Sequence, residues 1–147
     1  MTLAPEHRDK SDIAVLMLDL DRFKEVNDAH GHLAGDMLLR VVSAHLSRLI
    51  RLEDVLARYG GEEFVILVRS TSHKDAGVLA ERVRSTVALL QIKPPDASTT
   101  LTVTVSVGVA SLSELSSEAG PTELLAMADA RLYRAKVGGR NRVCMDD

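Results

Sequence analysis

Apolar positions fall into blocks whose spacing changes along the chain. Ile13–Leu18 is an unbroken apolar run that stops at Asp19 and Asp21. Such a run predicts a strand buried on both faces, with carboxylates at its C-terminal end. Asn27 to Gly35, rich in Asn, Asp, His and Gly, reads as a loop. From Ala34, apolar Met37, Leu38, Val41, Val42, Leu46 and Leu49 recur at helical spacing and predict an amphipathic helix to about Ile50. Val55–Tyr59 and Phe64–Val68 read as short strands flanking Gly60-Gly61, a tight-hairpin signal. His73 to about Leu90 returns to the helical pattern through Val78, Leu79, Val83 and Val87, and Lys93-Pro94-Pro95-Asp96 begins a loop. Leu101–Val107 alternates strictly, predicting a half-buried strand that Gly108 ends or bulges. Pro121 opens a helix with a stripe of Leu124, Leu125, Ala128, Leu132 and Ala135, stopped at Gly138, and Arg142–Met145 reads as an edge strand. The order β-α-β-β-α-β-α predicts an α/β (α+β) fold: a split βαβ, ferredoxin-like βαββαβ sheet with helices on one face.

Composition narrows the function. The 147 residues suit one domain. A net charge of −3 argues against binding a nucleic-acid polymer through a basic surface, and two Phe, two Tyr and no Trp are too few for base-stacking platforms. With Cys144 as the single cysteine there is no disulfide framework and no cysteine-based zinc site. No apolar run approaches the ~18 residues of a membrane span. The polar start, residues 1–12, lacks the core of a signal peptide. The expected setting is cytoplasmic, with no membrane contact by this chain itself.

Charge gathers at element ends. Asp19 and Asp21 close the first strand, and Glu62-Glu63 sit at the central hairpin. In a split βαβ sheet those strands are neighbours, so the carboxylates can meet, and Mg²⁺ needs only one or two of them beside water and phosphate. Taken singly, either pair reads more readily as solvated acids near a turn. Arg131, Arg134, Lys136, Arg140 and Arg142 lie in a stretch from Ala130 to Met145 that holds no acid. Cations there complement a helix C-terminus, but Gly138-Gly139-Arg140-Asn141 also suits phosphate oxygens. Arg51 and Asp54 read, on pattern alone, as a surface pair. His30 and His32 flank Gly31 without a third nitrogen ligand, and His45 reads as partly buried packing. His7, His73 and Cys144 carry no chemical argument.

In order and spacing, Asp19-Leu-Asp-Arg-Phe-Lys24, Asn27-Asp28, Gly31-His32, Gly35-Asp36, Gly60-Gly-Glu-Glu-Phe64 and Gly138-Gly-Arg-Asn141 resemble the GGDEF family of diguanylate cyclases, from about Ile13 to Val143. The resemblance implies a palm-like sheet with helices packed around it, as in nucleotidyl cyclases, and condensation of two GTP into cyclic di-GMP with release of two pyrophosphates. It implies Asp19, Glu63 and the Leu20 carbonyl as ligands of Mg²⁺ (or Mn²⁺), two ions per active site. Asn27 and Asp36 resemble the guanine-reading pair. Phe23, Lys24, Lys136 and Arg140 match phosphate-binding positions, and Gly60 and Gly61 let substrate approach the backbone. Glu62 resembles the residue that polarises the attacking 3′-hydroxyl, and His32 matches a motif position that reads as loop packing. Arg51-x-x-Asp54, with Arg82 in the following helix, resembles the inhibitory product site. Since one domain holds one GTP, the reaction requires a homodimer.

Residues 1–12 are expected to be a polar N-terminal segment and 13–147 the catalytic domain. The family's usual Asp-x-Leu-Thr-Gly-Leu-x-Asn-Arg lead-in has no counterpart in Thr2-Leu3-Ala4-Pro5, which makes 1–12 a truncated lead-in. A cyclic di-GMP binding domain with negligible turnover is the alternative reading, although a pure receptor has no need of Asp19, Glu62, Glu63, Lys136 and Arg140 together. A palm-like cyclase using another base is the third, and Asn27 with Asp36 favours guanine over it.

Overall fold

The computed structural model describes residues 12–95 and 98–147, so most of the polar N-terminal segment and Asp96 of the proline-rich loop lie outside the described residues. Strand β1 (Ile13–Leu20) forms the middle of a five-stranded sheet ordered β2-β3-β1-β4-β5. Around it run α1 (Phe23–His30), α2 (His32–Ser47), β2 (Val55–Gly60), β3 (Glu63–Arg69), α3 (His73–Leu89), β4 (Val105–Ser111), α4 (Pro121–Val137) and β5 (Val143–Cys144). β1 is antiparallel to both β3 and β4, β2 is antiparallel to β3, and β5 is parallel to β4. The hairpin expected at Gly60-Gly61 joins β2 to β3, with Gly61 in the left-handed region at φ 42°.

An unbroken apolar run is required in β1 because helices cover both faces of the sheet. Ala14, Leu16 and Leu18 pack with Leu38, Val42 and Leu46 of α2 and Ala80, Val83 and Val87 of α3. Val15 and Met17 pack on the other face with Leu124, Ala128 and Leu132 of α4. The expectation of helices on one face is therefore corrected. Period-2 alternation places successive β1 side chains on opposite faces, and each face has its own helical cover.

Two predicted boundaries also move. Asn27 to Gly35 is helical except at Gly31, whose φ of 90° breaks α1 from α2. Asp28, His30, His32 and Asp36 lie on exposed helical surface, Asn27 is half-buried, and Phe23 and Ala34 supply the buried contacts. The fourth strand begins at Val105, opposite Leu20, rather than at Leu101, which makes only an isolated bridge to Ile92. Alternation started earlier than β1 could offer a pairing partner. Gly108 neither ends nor bulges β4. A Cβ at this position would collide with the backbone of α4 at Ala128 and Leu132, so the glycine lets the helix approach the sheet.

Arg131, grouped by sequence with the other cations of the basic stretch, is buried at 2% exposure. Its guanidinium donates to the Val109 carbonyl at 2.9 Å and to Glu114 at 2.8 Å, and pairs with Asp147 at 3.3 Å. His73 joins the same network, with Nδ1 2.6 Å from the Ser111 hydroxyl and Nε2–H donated to the Met145 carbonyl at 2.7 Å. A histidine without a chemical argument in sequence thus fastens the C-terminal residues to the sheet. His45 is part-buried as expected, with Nδ1–H donated to the Val41 carbonyl at 2.9 Å.

Burial works to raise the Glu114 carboxyl, but hydrogen bonds from Arg131 and the Ser111 backbone, with the charges of His73 and Arg131, hold it below its ordinary value of 4.5. A lowered carboxylate stabilises the fold above its unfolded pKa and loses that contribution as pH falls through the folded one. Glu114→Gln should lower stability by about 2–3 kcal/mol at neutral pH, less than for a fully enclosed pair because Glu114 is partly solvated. Denaturant titrations should show the gap between variant and parent narrowing as pH falls below 4.5.

Candidate active site

β1 ends where β3 begins, and the register places Asp19 directly opposite Glu63. The two acidic points separated in sequence are thus joined, at the edge of the sheet's core. Asp19 is 6% exposed, and its Oδ2 accepts from Lys136 Nζ at the end of α4. Burial pushes the Asp19 carboxyl above its ordinary value; Lys136 opposes that shift, while Glu62 and Asp21 add to it. Burial and the Asp19 charge likewise raise Glu63, against Lys136. Glu62 occupies the turn, and its carbonyl accepts from the Leu20 N–H at 3.2 Å, which ties the hairpin to the end of β1.

Asp21 has a different job. It is 7% exposed and accepts from the Thr104 hydroxyl at 2.7 Å, the Ser106 hydroxyl at 2.7 Å and the Asn141 N–H at 3.0 Å. Those bonds fix the end of β1 to β4 and to the Gly138–Asn141 loop. Nothing in the sequence showed what Asp21 does, because the hydroxyls it serves lie more than eighty positions away.

The donor set fits a magnesium ion. Two buried-edge carboxylates are apposed, both are pushed up by burial and like charge, and a cationic side chain already sits against one of them. Among the described residues no cluster of three His, Cys, Asp or Glu side chains could hold a metal by itself. A cation here would complete its shell from backbone oxygen, water and substrate phosphates, as Mg²⁺ does.

Beside this edge, α1 starts at Phe23 after Arg22 in the left-handed region, with no side-chain cap on its first N–H groups. Phe23 is buried and Lys24 exposed. Asn27 Oδ1 is the sole buried side-chain polar atom without a partner among the described residues. It lies against Gly35, where a Cβ would overlap it, and Gly35 precedes Asp36 at the start of α2. Asp36, Leu39, Arg40, Ser43, Leu56, Arg58 and Phe64 line a cavity of about 460 Å³. The cavity has a mixed polar and apolar lining, and the unpartnered Asn27 amide oxygen lies against Gly35, one residue from Asp36. His32, expected in a packed loop, is instead the exposed first residue of α2.

Arg51, Asp54 and Arg82 meet elsewhere, with Thr71 and Asp75, around a cavity of about 230 Å³. Asp54 is more than a surface partner. Its side chain is 2% exposed, and it accepts from the Arg51 N–H at 2.9 Å and the Arg69 N–H at 3.3 Å. Arg51 reaches the Arg69 carbonyl at 2.5 Å and the Thr71 hydroxyl at 2.7 Å.

The family described as "Diguanylate cyclase, GGDEF domain" matches residues 2–142. Diguanylate cyclase DgcP of Pseudomonas aeruginosa is 39% identical over 141 residues, covering 96% of this chain and 20% of that protein. Cyclic di-GMP phosphodiesterase PdeR of Escherichia coli is 39% identical over 144 residues, covering 97% of this chain and 21% of that protein. The crystal structure of the GGDEF domain of DgcB from Caulobacter crescentus, in complex with c-di-GMP, superposes with a TM-score of 0.85 at 32% identity, covering 91% of this chain and 77% of that one. The chain belongs to the GGDEF domain family, and it spans about a fifth of the length of the two curated relatives. No described helix is long and apolar enough to cross a membrane.

The space that Gly35 leaves for Asn27 yields a test. Gly35→Ala should displace the Asn27 side chain and weaken guanine-nucleotide binding at least about tenfold, the size of one or two lost hydrogen bonds in a buried site. Calorimetric titration checks the affinity, and far-UV circular dichroism should show α1 and α2 retained.

Proposed function

We propose that the chain is the catalytic domain of a diguanylate cyclase, joining two GTP into cyclic di-GMP with release of two pyrophosphates. The observation that carries this reading is the apposition of Asp19 and Glu63 across β1 and β3, with Lys136 seated on Asp19. Membership of the family and the spacing of every motif support the substrate.

Guanine would enter beside Asn27 and Asp36. The carboxylate accepts from the base N1–H and N2–H₂, and the Asn27 amide, which has an unsatisfied buried oxygen, completes the recognition. Leu39, Leu56 and Phe64 give the neighbouring cavity apolar walls. Lys136 and Arg140 would bind the triphosphate with Lys24 and the uncapped N–H groups at Phe23, a use of helix-start donors that anions favour. Gly60 and Gly61 keep the hairpin free of side chains where the nucleotide lies. Asp19 and Glu63, with the Leu20 carbonyl, would hold Mg²⁺ or Mn²⁺, two ions per site. Such ions, when bound, would supply charge to activate the 3′-oxygen and to stabilise the leaving pyrophosphate.

In the absence of phosphate, Lys136 neutralises Asp19. Substrate oxygens compete for that ammonium and free the carboxylate for the cation, so one side chain couples nucleotide binding to completion of the acidic site. Glu62, in the turn, would polarise the 3′-hydroxyl and take its proton while that oxygen attacks the α-phosphorus of the second GTP. Each domain holds one nucleotide, so two copies must face each other, and positioning supplies most of the acceleration. The proposed setting is cytoplasmic.

Incubation of product-free protein with GTP and Mg²⁺, followed by chromatography, should yield cyclic di-GMP. Glu63→Gln should reduce turnover at least about a hundredfold, as loss of a preorganised electrostatic group does. Product binding elsewhere should remain. Absence of product at high protein concentration, together with tight cyclic di-GMP binding, would replace the enzyme with a receptor.

Arg51, Asp54 and Arg82 form the proposed feedback site, supported by their gathering around one cavity. Arginine can stack on guanine and donate to its O6/N7 edge. Arg51→Ala should weaken product binding about tenfold and relieve inhibition in progress curves; an unchanged inhibition curve would remove this site from the account.

A further inference from the structure

The Gly138–Asn141 loop holds two consecutive non-glycine residues, Arg140 and Asn141, in the left-handed region. Gly139, Arg140 and Asn141 all have positive φ, at 128°, 63° and 47°. Asparagine and glycine tolerate the left-handed region, but arginine does not favour it. Such conformations persist where surrounding contacts over-determine them, and they gather at functional sites. At the end of α4 the Gly139 N–H donates to the Lys136 carbonyl at 3.3 Å and the Arg140 N–H to the Ala135 carbonyl at 3.0 Å, a helix C-terminal pattern that accounts for Gly139, and Arg142 Nε donates to the Arg140 carbonyl at 3.1 Å. Two further restraints come from distant parts of the chain. Asp21 accepts the Asn141 N–H at 3.0 Å, and Arg84 of α3 donates through one terminal nitrogen to Asn141 Oδ1 at 2.9 Å.

Arg84 is aimed before it reaches the loop. Glu81, three residues earlier on α3, takes its Nε at 2.9 Å and its other terminal nitrogen at 2.6 Å. That bidentate clamp fixes the guanidinium plane and leaves one nitrogen for Asn141. As an isolated pair on a helix surface it would contribute little. Its significance is the third bond, which spans 57 positions and ends on the residue after Arg140.

We infer that Arg84, oriented by Glu81, is a positioning residue that acts through Asn141 to hold the Gly138–Asn141 loop in the shape that receives the triphosphate. The inference rests on the proposal that Arg140 and Lys136 bind that triphosphate. Arg84 itself touches no reacting atom. Its effect falls on the phosphate end of the nucleotide and not on the base, since Asn27 and Asp36 belong to α1 and α2 and share no hydrogen bond with this relay among the described residues.

The test compares 3′-deoxy-GTP, which cannot attack, with GMP, by calorimetry on the full chain in Mg²⁺. Wild-type protein should prefer the triphosphate. Arg84→Ala should weaken 3′-deoxy-GTP about tenfold and leave GMP within about twofold; Arg84→Lys should not restore the loss, because lysine cannot be clamped and donate in the same plane. Glu81→Gln, which keeps Arg84 and its shape, should cost about threefold on the triphosphate alone. Equal losses on both ligands with a lowered melting temperature would make the relay merely structural and overturn the inference, as would full rescue by lysine. Triphosphate preference that survives both Arg84→Ala and Glu81→Gln overturns the relay and leaves the GTP reading standing. A wild-type chain without triphosphate preference overturns both.

Discussion

The middle strand has no face open to water. Everything else in the site follows from that constraint on β1, because its side chains from Ala14 to Leu18 are enclosed alternately by α2 with α3 and by α4. A charge inside such a strand would pay a desolvation penalty without compensation. Carboxylates can therefore appear only where β1 runs out of cover. At that point Asp19 meets Glu63 across the ladder, and Asp21 meets two hydroxyls and a backbone N–H. The same burial that confines the acids also makes them responsive, since each carboxylate held at a dry edge invites a cation more strongly than one in water.

One carboxylate is left available and the other is consumed. Asp19 carries a single side-chain cation, Lys136, whereas Asp21 accepts from two hydroxyls and a backbone N–H. The division separates chemistry from architecture within three residues of chain. It also links the two ends of the site, because the loop fastened to Asp21 follows directly from the helix that bears Lys136.

Helix α3 connects regions that a reading of the active site alone would leave apart. Arg82 lines the Arg51/Asp54 cavity, and Arg84, two positions on, is bonded to Asn141. At the opposite end of the sheet, buried Arg131 and His73 bind the C-terminal residues to β4. The basic stretch of the sequence is therefore not one surface. Arg131 is packing, Lys136 faces the acids, and Arg142 braces the loop.

The sequence by itself determined most of the element order, because periodicity reports which residues must be hidden and glycines mark where the chain must turn. It also determined the family, since six motifs in fixed order are far more specific than any one of them. What it left open are matters of partnership. Asn27 to Gly35 looked like a loop because most of its polar residues are helical surface, and Leu101–Val107 looked like the paired strand because alternation does not say where a neighbour begins. Arg131 read only as one of a basic run, because a charge gives no sign of the Glu114 that will pair with it. Asp21, Arg84 and His73 had no local signature, since each acts on residues dozens of positions away. Hydrogen bonds and ion pairs form between groups that tertiary packing brings within about 3 Å, and only the closed sheet with its helices decides which groups those are.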